Sequence, residues 1–364
     1  MTNETLPEKK GIFAISPEAF EEHMDALENQ NDLESGNSLF LMRKASVWLQ
    51  EAQHRPTPKM LFGELWFETE LCILFADTNL GKSILAVQIG DSISNGNPIK
   101  GFQMEAGKQP VLYFDFELTD KQFENRYSDH FAGHHPFDDN FLRAEIDPDA
   151  MAGDLTFEEY LNLSLEQAVI STQARVLIID NITYLKNETE KARDALPLMK
   201  QLKALKSKYG LSILALAHTP KRDLSKPITR NDLQGSKMLI NFCDSSFAIG
   251  ESMMDKSYRY LKQIKARNCE IMYDTSNVGV FEIIKPTNYL HFNFIGFAHE
   301  REHLKAQTLE EQNELEVKIM EILEKTPDAS GLSIAKALCP EGHKLMSFNV
   351  KISRMIKRLR AKQS

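Results

Sequence analysis

The segment from Ala76 to Ser83, ADTNLGKS, contains the residue types that bind a nucleotide phosphate. Such a loop needs inward-facing backbone N–H groups around the β-phosphate, a lysine that reaches the β and γ oxygens, and a hydroxyl for Mg²⁺. Gly81 allows the backbone to approach closely, Lys82 supplies the cation and Ser83 the hydroxyl. We therefore predict that ATP and Mg²⁺ bind here. The predicted contact residues are Ala76, Asp77, Thr78, Asn79, Leu80, Gly81, Lys82 and Ser83.

Alanine stands at the first position of this loop, where glycine is usual. Ala76 is the smallest departure from glycine, and it is tolerated unless the turn needs a positive φ. A chance GKS is the alternative interpretation, but an apolar run precedes the loop and a predicted helix, Lys82 to Ser94, follows it. Further along, the apolar run VLIID ends in Asp180, whose carboxylate can hold Mg²⁺ through water. This context favours a nucleotide site.

Two more polar residues follow apolar runs and are candidates for catalysis. Glu117, in VLYFDFE, fits a base or a water-positioning group beside the γ-phosphate. In an extended strand Asp115 lies on the same face, so one carboxylate could act and the other support it. Glu117 could instead cap the helix predicted near Thr119. His218 ends SILALAH and could sense the γ-phosphate, or it could be a satisfied, partly buried histidine.

The order of apolar runs predicts an α/β fold. Runs at 111–117, 175–180 and 212–218 are separated by helical patterns such as 157–170 and 190–208. This alternation is typical of a mainly parallel sheet with helices on both faces. The later runs SSFAIG, YRYLKQIKA, NVGVFEII and YLHFNFIGF are too closely spaced for helical crossovers, so we expect antiparallel hairpins that extend the sheet. The core should close near Phe297.

Composition divides the 364 residues into four predicted segments. Residues 1–38 form an acidic N-terminal arm, and 39–298 form the core, which begins with a helix over LFLMRKASVWLQEAQ. Residues 299–309 are a charged linker. Residues 310–364 carry an apolar helical stripe, Leu315, Ile319 and Ile322, followed by two further helical patterns. They predict a small helical domain of the helix-turn-helix or winged-helix type.

Net charge excludes a protein that coats nucleic acid over its whole surface, because the chain carries −9. Basic residues are nevertheless concentrated in two segments. The loop after His218 contains Lys221, Arg222, Lys226 and Arg230, predicted to contact single-stranded DNA, with a plain solvated loop as the alternative. The C-terminal helix contains Lys351, Arg354, Lys357 and Arg358, predicted to contact the phosphates of duplex DNA, with docking on the acidic remainder as the alternative.

Several other protein classes are disfavoured. Cys72, Cys243, Cys269 and Cys339 are far apart, which indicates buried thiols rather than a zinc ribbon or a disulfide framework. No signal peptide or membrane-spanning run is apparent, so we predict a cytoplasmic protein without a membrane partner. The segment HEREH, His299 to His303, matches a zinc-protease pattern. It lies in a highly polar segment, so a charged linker helix with i,i+4 pairs is the preferred interpretation.

The ordered set of motifs resembles the RecA-like ATPases, in particular the hexameric replicative helicases of the RepA and DnaB type. The resemblance covers about residues 56–297 and rests on these segments: KMLFGELWF, ADTNLGKSILAVQIGDSI, YFDFEL, VLIIDNI, ILALAHTPKR, DLQGSKMLINFCDSSFAI and LKQIKARN. It implies that Glu117 is the catalytic glutamate and Asp180 the Walker B aspartate. It also implies that Lys265 and Arg267 form a K-x-R pair that reaches the γ-phosphate of a neighbouring subunit. A solvated basic edge strand is the alternative for that pair.

The resemblance implies an ATP-hydrolysing motor that forms homo-oligomeric, hexameric rings with single-stranded DNA in the channel. The chain departs from DnaB-type helicases because it lacks the glycine-rich turn after Lys265 and a separate primase-binding domain. RepA-like proteins of plasmids and mobile elements fit its length better, which implies a role in replication or mobilisation. A non-translocating, ATP-gated DNA-binding regulator or adaptor is the alternative function.

Overall fold

The computed structural model describes residues 41–364, apart from 148, 152, 183–194, 221, 234–235, 306–308, 340–344, 346–347, 350–351, 354, 357–358 and 360–364. The chain divides into two units, Met1–Pro58 and Lys59–Ser364. In the first unit the described part contains helix α1, Ala45–Gln53. This helix is shorter than predicted because residues 41–44 are not helical. The predicted arm, 1–38, lies outside the described residues.

The second unit is built on a nine-stranded sheet with the order β11-β10-β9-β8-β3-β7-β6-β4-β5. Strands β3 to β8 run parallel to one another, and β9, β10 and β11 continue the sheet as antiparallel strands. The prediction of a mainly parallel sheet with antiparallel hairpins is therefore confirmed. The strands are β3 Leu71–Ala76, β4 Val111–Asp115, β5 Phe141–Ala144, β6 Val176–Asp180, β7 Ser212–His218, β8 Ser245–Glu251, β9 Tyr258–Lys265, β10 Val278–Ile284 and β11 His291–Ala298. A separate hairpin pairs β1 Met60–Phe62 with β2 Trp66–Phe67.

The interior residues of the central strands β3, β4, β6 and β7 are apolar, as expected for a sheet covered on both faces. In β3, Cys72 and Leu74 pack into one hydrophobic cluster, while Ile73 and Phe75 pack into the other on the opposite face. This is the two-residue alternation of an extended chain. The core therefore has two layers, one on each side of the parallel strands.

The helices that cover the parallel strands begin at identifiable signals. Helix α2, Lys82–Asn95, begins after Gly81 and ends at Gly96, both with left-handed backbones. Helices α3, Asp120–Arg126, and α4, Phe157–Thr172, each begin with a threonine capping box. Because Thr119 supplies the cap of α3, Glu117 is free of that structural role. Helices α5, Ala195–Tyr209, and α6, Ser236–Phe242, and a 3₁₀ turn, Arg230–Asp232, complete this part.

The C-terminal residues form a separate helical cluster. Helix α7, Leu309–Lys325, and helix α8, Gly331–Leu338, pack with helical residues between 345 and 359. Their buried residues include Ile319, Ile334, Ile352 and Ile356, with Leu315 and Ile322 packed beside them, as the stripe predicts. The described part of this cluster is all helical, so the strands of a winged helix are not shown. The basic residues Lys351, Arg354, Lys357 and Arg358 lie outside the described residues.

The HEREH segment differs from the predicted linker helix. It forms a 3₁₀ turn, Glu300–His303, in which Glu300 and His303 are buried. Glu300 pairs with Lys262, and His303 Nδ1 lies 2.8 Å from Ser252 Oγ. The i,i+4 pairing was wrong because these side chains satisfy buried polar groups of the core instead of facing solvent. This geometry also separates His299 from His303, so the segment does not form a zinc-protease helix.

No helix in the described part of the chain is long and apolar enough to span a bilayer.

Candidate functional site

The carboxyl ends of four parallel strands bring the predicted phosphate-site residues together. Strand β3 ends at Ala76 beside His218 of β7, and β4 ends at Asp115 beside Asp180 of β6. The loop from Asp77 to Gly81 starts at this edge and leads into α2. A crevice at this edge of an open α/β sheet is where such folds bind ligands.

The backbone of the loop explains why alanine is tolerated at its first position. Ala76 is the last residue of β3 and is not among the positive-φ residues, whereas Asn79 and Gly81 have φ of 61° and 92°. A Cβ on Gly81 would lie 2.9 Å from both Ile283 and Phe292. The turn therefore requires glycine at Gly81 and not at Ala76.

Lys82 is buried at the base of the loop. Its Nζ donates hydrogen bonds to the carbonyl oxygens of Ala76, at 3.2 Å, and Asp77, at 3.0 Å. It also lies 3.2 Å from His218 Nδ1. Desolvation lowers the pKa of Lys82, while nearby carboxylates including Asp180 oppose the shift. All three ammonium donors are thus directed at groups that a phosphate oxygen could replace.

Asp180 lies beneath the loop and is 1% exposed. Burial raises its pKa to about 6, and hydrogen bonds from Ser83 and Tyr113 partly offset that shift. Tyr113 donates its hydroxyl to Asp180 Oδ2 at 2.7 Å. A carboxylate and a hydroxyl are ligands that Mg²⁺ prefers, and a divalent cation would neutralise the desolvated carboxylate. Ser83 and Asp180 therefore fit a magnesium site.

Glu117 lies at the mouth of the site, where it contacts Asn181. Asn181 Nδ2 donates a short hydrogen bond to Glu117 Oε1 and lies 3.0 Å from His218 Nε2. The neighbouring His218, whose Nε2 is 3.7 Å from Glu117 Oε1, holds the pKa of that carboxyl below its usual range, and Lys82 adds to the effect. Glu117 is therefore ionised at neutral pH, as a base must be.

Asp115 has a structural role, and the prediction that it shares a face with Glu117 was wrong. The strand ends at Asp115, so the alternation of an extended chain does not continue to Glu117. Asp115 Oδ1 accepts the N–H groups of Glu117 and Leu118, and its Oδ2 accepts Arg143 Nε at 2.9 Å. These bonds fix the turn that carries Glu117.

Lys265 and Arg267 lie at the opposite edge of the parallel strands. Lys265 pairs with Ser246 in the sheet register, and its Nζ donates to the carbonyl oxygens of Ile240 and Cys243. Arg267 Nη1 donates to Asp244 Oδ1 at 3.0 Å, and its side chain is 49% exposed. At about 3.3 Å per residue, the length of β3 separates this edge from Ala76 by roughly 17 Å. The pair is therefore distant from the phosphate loop of its own subunit.

The residues predicted to contact DNA in the loop after His218 differ from one another. The side chain of Arg222 is only 6% exposed, since it lies 3.5 Å from Asp232 and donates to the carbonyl of Lys226. The prediction for Arg222 is therefore corrected: this residue holds the loop together. Lys226 and Arg230 are exposed, and Lys221 lies outside the described residues.

Two residues at the site were missed by sequence reasoning. Asn181 was detectable in principle, because it follows directly on a strand that ends in a candidate metal ligand. Tyr113 was not, since a tyrosine inside an apolar strand has the signature of a core residue. Its role depends on the register that pairs β4 with β6.

The sheet and the site together define the class of protein. The features are those of a P-loop ATPase with a RecA-like α/β core: a phosphate loop between β3 and α2, a buried aspartate on β6 and a glutamate after β4. The chain is a member of the AAA domain family, which matches residues 40–223.

The chain is also similar to solved structures. A KaiC-like protein, PH0186 from the archaeon Pyrococcus horikoshii OT3, has 15% sequence identity and a TM-score of 0.41, covering 62% of this chain and 90% of that chain. A likeness this weak establishes no shared activity. No curated protein matches the chain.

Proposed function

We propose that this protein is an oligomeric, Mg²⁺-dependent ATPase that acts as a DNA motor, a RepA-like helicase of a plasmid or mobile element. The observation that carries the ATPase part is the convergence of Lys82, Asp180, Glu117 and His218 at one edge of the sheet. The DNA part is supported by the exposed basic residues Lys226 and Arg230 and by the helical C-terminal cluster.

In this mechanism the phosphate loop holds the β- and γ-phosphates of ATP and Lys82 turns from its carbonyl partners to their oxygens. Ser83 and Asp180 would hold Mg²⁺, which would neutralise charge on the phosphate oxygens. Glu117 orients the attacking water and accepts its proton, and Asn181 sets the direction of that carboxylate. His218, next to Lys82, detects whether the γ-phosphate is present.

A neighbouring subunit completes the site in this proposal. Arg267 is too far from its own phosphate loop to act there, and its exposed guanidinium can contact a second copy. An arginine supplied in trans stabilises charge in the transition state and makes hydrolysis depend on assembly. Lys265 would support the position of this arginine, because it is fixed by two backbone carbonyls.

The test is the ATPase rate as a function of protein concentration, with and without single-stranded DNA and Mg²⁺. We expect the rate per subunit to rise with assembly and with DNA. Glu117→Gln should lower turnover by about 10²–10⁴-fold while ATP still binds, since it removes the base. Glu321→Gln is the matched control, because that glutamate is exposed on α7, and it should leave turnover unchanged.

Arg267→Ala separates an interface motor from an isolated ATPase. We expect it to lower turnover by about 10³-fold or more without weakening ATP binding, and mixing it with Glu117→Gln should restore some activity in hybrid interfaces. Turnover independent of concentration in both wild type and Arg267→Ala would contradict catalysis in trans. Absence of strand separation with intact turnover would contradict the helicase assignment.

The second candidate is an ATP-gated DNA-binding regulator that does not translocate. It is favoured by the internal partners of the K-x-R pair, because Arg267 is paired with Asp244 and Lys265 with backbone carbonyls of the same chain. If those bonds persist in the assembly, no arginine reaches the neighbouring site and hydrolysis stays slow. Nucleotide-dependent DNA binding with negligible turnover under every condition would establish this candidate.

A further inference from the structure

The segment that leaves the sheet, residues 299–305, is attached to the loop that follows β7, residues 219–233, which we call the β7 loop. We call the buried pair Lys262 and Glu300 the clasp, because both side chains hydrogen-bond to the backbone of one residue in the β7 loop, Ile228. Glu300 Oε1 accepts the N–H of Ile228 at 2.7 Å, and Lys262 Nζ donates to the carbonyl oxygen of Ile228 at 2.8 Å. Lys262 Nζ also donates to Glu300 Oε2 at 2.5 Å. Both backbone groups of Ile228 are thus held by charged side chains.

The attachment continues to the end of the segment. The N–H of Lys305 donates to the carbonyl oxygen of Leu224 at 3.0 Å, which is a second bond to the β7 loop. The carbonyl oxygen of His303 accepts the N–H of Met253. The imidazole ring of His303 stacks on the ring of Tyr260, with 5.5 Å between the ring centroids. Helix α7 begins at Leu309, four residues after Lys305. The β7 loop is therefore hydrogen-bonded to the segment that precedes the C-terminal helical cluster in the chain.

The other end of the β7 loop begins at the phosphate site. Thr219 donates its N–H to the carbonyl oxygen of Ala76, the same oxygen that Lys82 Nζ contacts. His218 lies against Lys82 on one side and Asn181 on the other. Since Lys82 uses its donors on protein groups, contact with phosphate must replace at least one of these bonds. Binding ATP thus changes the partners of the residues from which the β7 loop starts.

We propose that the clasp couples the nucleotide state of the phosphate site to the C-terminal helical cluster through the β7 loop. The route runs from Lys82 and His218 to Ile228, then through Glu300 to helix α7. The coupling is reciprocal, so a ligand that orders the helical cluster changes ATP affinity by the same factor. This proposal rests on the proposed function only in requiring that ATP bind at Lys82.

The test is hydrogen exchange of the full chain, followed by mass spectrometry, with and without a slowly hydrolysed ATP analogue and Mg²⁺. In wild type we expect slower exchange in residues 76–83 and at least a twofold change in exchange rate in 315–338. In Glu300→Gln the slowing of exchange in 76–83 should remain. The change in exchange rate that the ATP analogue causes in 315–338 should be at most one fifth of the wild-type change. Glu302→Gln, an exposed neighbour with the same change of chemistry, should respond as wild type does.

A second variant covers the case in which Glu300→Gln does not fold. Lys305→Pro removes the lysine side chain and the N–H that binds the carbonyl oxygen of Leu224, and it leaves the clasp charges paired. Loss of the distal response in Lys305→Pro supports the coupling. A wild-type response confined to 76–83, or a full distal response in both variants, overturns it. Absence of any response at 76–83 in wild type overturns the nucleotide site itself and this proposal with it.

Discussion

The phosphate site and the clasp are two clusters of buried charge with opposite organisation. In the clasp, Lys262 and Glu300 form a direct ion pair whose remaining capacity is used by backbone and hydroxyl groups. In the phosphate site, within the described residues, Lys82 bonds to carbonyl oxygens and an imidazole rather than to a carboxylate. Asp180 receives neutral hydroxyl donors from Tyr113 and Ser83.

This difference distinguishes a binding site from a structural cluster. Desolvation, which neighbouring groups offset only in part, lowers the pKa of Lys82 and raises that of Asp180. Such charges gain from an arriving anion and cation, which supply the missing partners. A clasp whose charges already neutralise each other gains nothing from a ligand and serves to hold segments together.

The largest effect on stability is expected from breaking the clasp on one side. Glu300→Ala leaves the Lys262 ammonium buried and unpaired, so we expect it to lower the free energy of unfolding by about 3–5 kcal/mol. The double variant Lys262→Met/Glu300→Gln removes both charges and should recover at least half of that loss. Equilibrium unfolding in urea measures both. Glu302→Ala should change the value by less than about 0.5 kcal/mol, and equal losses in all three variants would contradict the pairing.

At the phosphate site we expect removal of a buried charge to stabilise the nucleotide-free protein. The pKa of Asp180 is raised from 3.8 to about 6, so the folded state binds its proton more tightly than the unfolded state does. The contribution of this group to stability therefore falls as pH rises from about 4 to about 6 and is constant above. Asp180→Asn avoids that cost and should stabilise the nucleotide-free protein at pH 8 by up to about 3 kcal/mol, with no gain near pH 4.

Thermal melts at the two pH values test this sign. Asp115→Asn is the matched control on the neighbouring strand, and it should destabilise because it weakens the ion pair with Arg143. Both variants should fail to turn over ATP normally, Asp180→Asn through the metal site and Asp115→Asn through the turn that carries Glu117. A less stable Asp180→Asn protein at pH 8 would show that the carboxylate is already compensated.

Two glycine-alanine exchanges in the phosphate loop should have smaller and unequal effects. Gly81→Ala places a side chain at a φ of 92° and against Phe292, so we expect a loss of about 1–3 kcal/mol and weaker ATP binding. Ala76→Gly changes a strand residue with ordinary φ and should cost about 0.5–1 kcal/mol with binding unchanged. Titration with a fluorescent ATP analogue measures binding. Equal effects at the two positions would contradict the backbone assignment.

The smallest effect is expected in the β7 loop, which joins the two clusters. Arg230→Ala should weaken single-stranded DNA binding and reduce the slope of log affinity against log salt by about 0.7, the loss of one phosphate contact. Arg222→Ala should instead lower the melting temperature, because its side chain is buried against Asp232. An unchanged salt slope in Arg230→Ala would remove this residue from the predicted DNA contacts.

Most of the core could be predicted from the amino-acid sequence. Short, fully apolar runs such as Leu71–Ala76 are typical of strands covered on both faces, and their alternation with helical patterns predicts a mainly parallel sheet. The carboxyl ends of parallel strands meet at one edge, so Lys82, Asp180 and Glu117, each at or just after the end of an apolar run, could be predicted to lie near one another. The K-x-R assignment of Arg267 stays a prediction.

The partners of the polar residues depend on tertiary contacts. Asp115 and Glu117 are both acidic and two residues apart, but the end of β4 at Asp115 gives them different partners. HEREH has the composition of a solvated linker, yet Glu300 is fully buried because Lys262 and the backbone of Ile228, distant in sequence, require an acceptor there. The local amino-acid sequence indicates the periodicity and charge of a segment. Desolvation and partner choice depend on contacts between distant segments, which a single sequence does not specify.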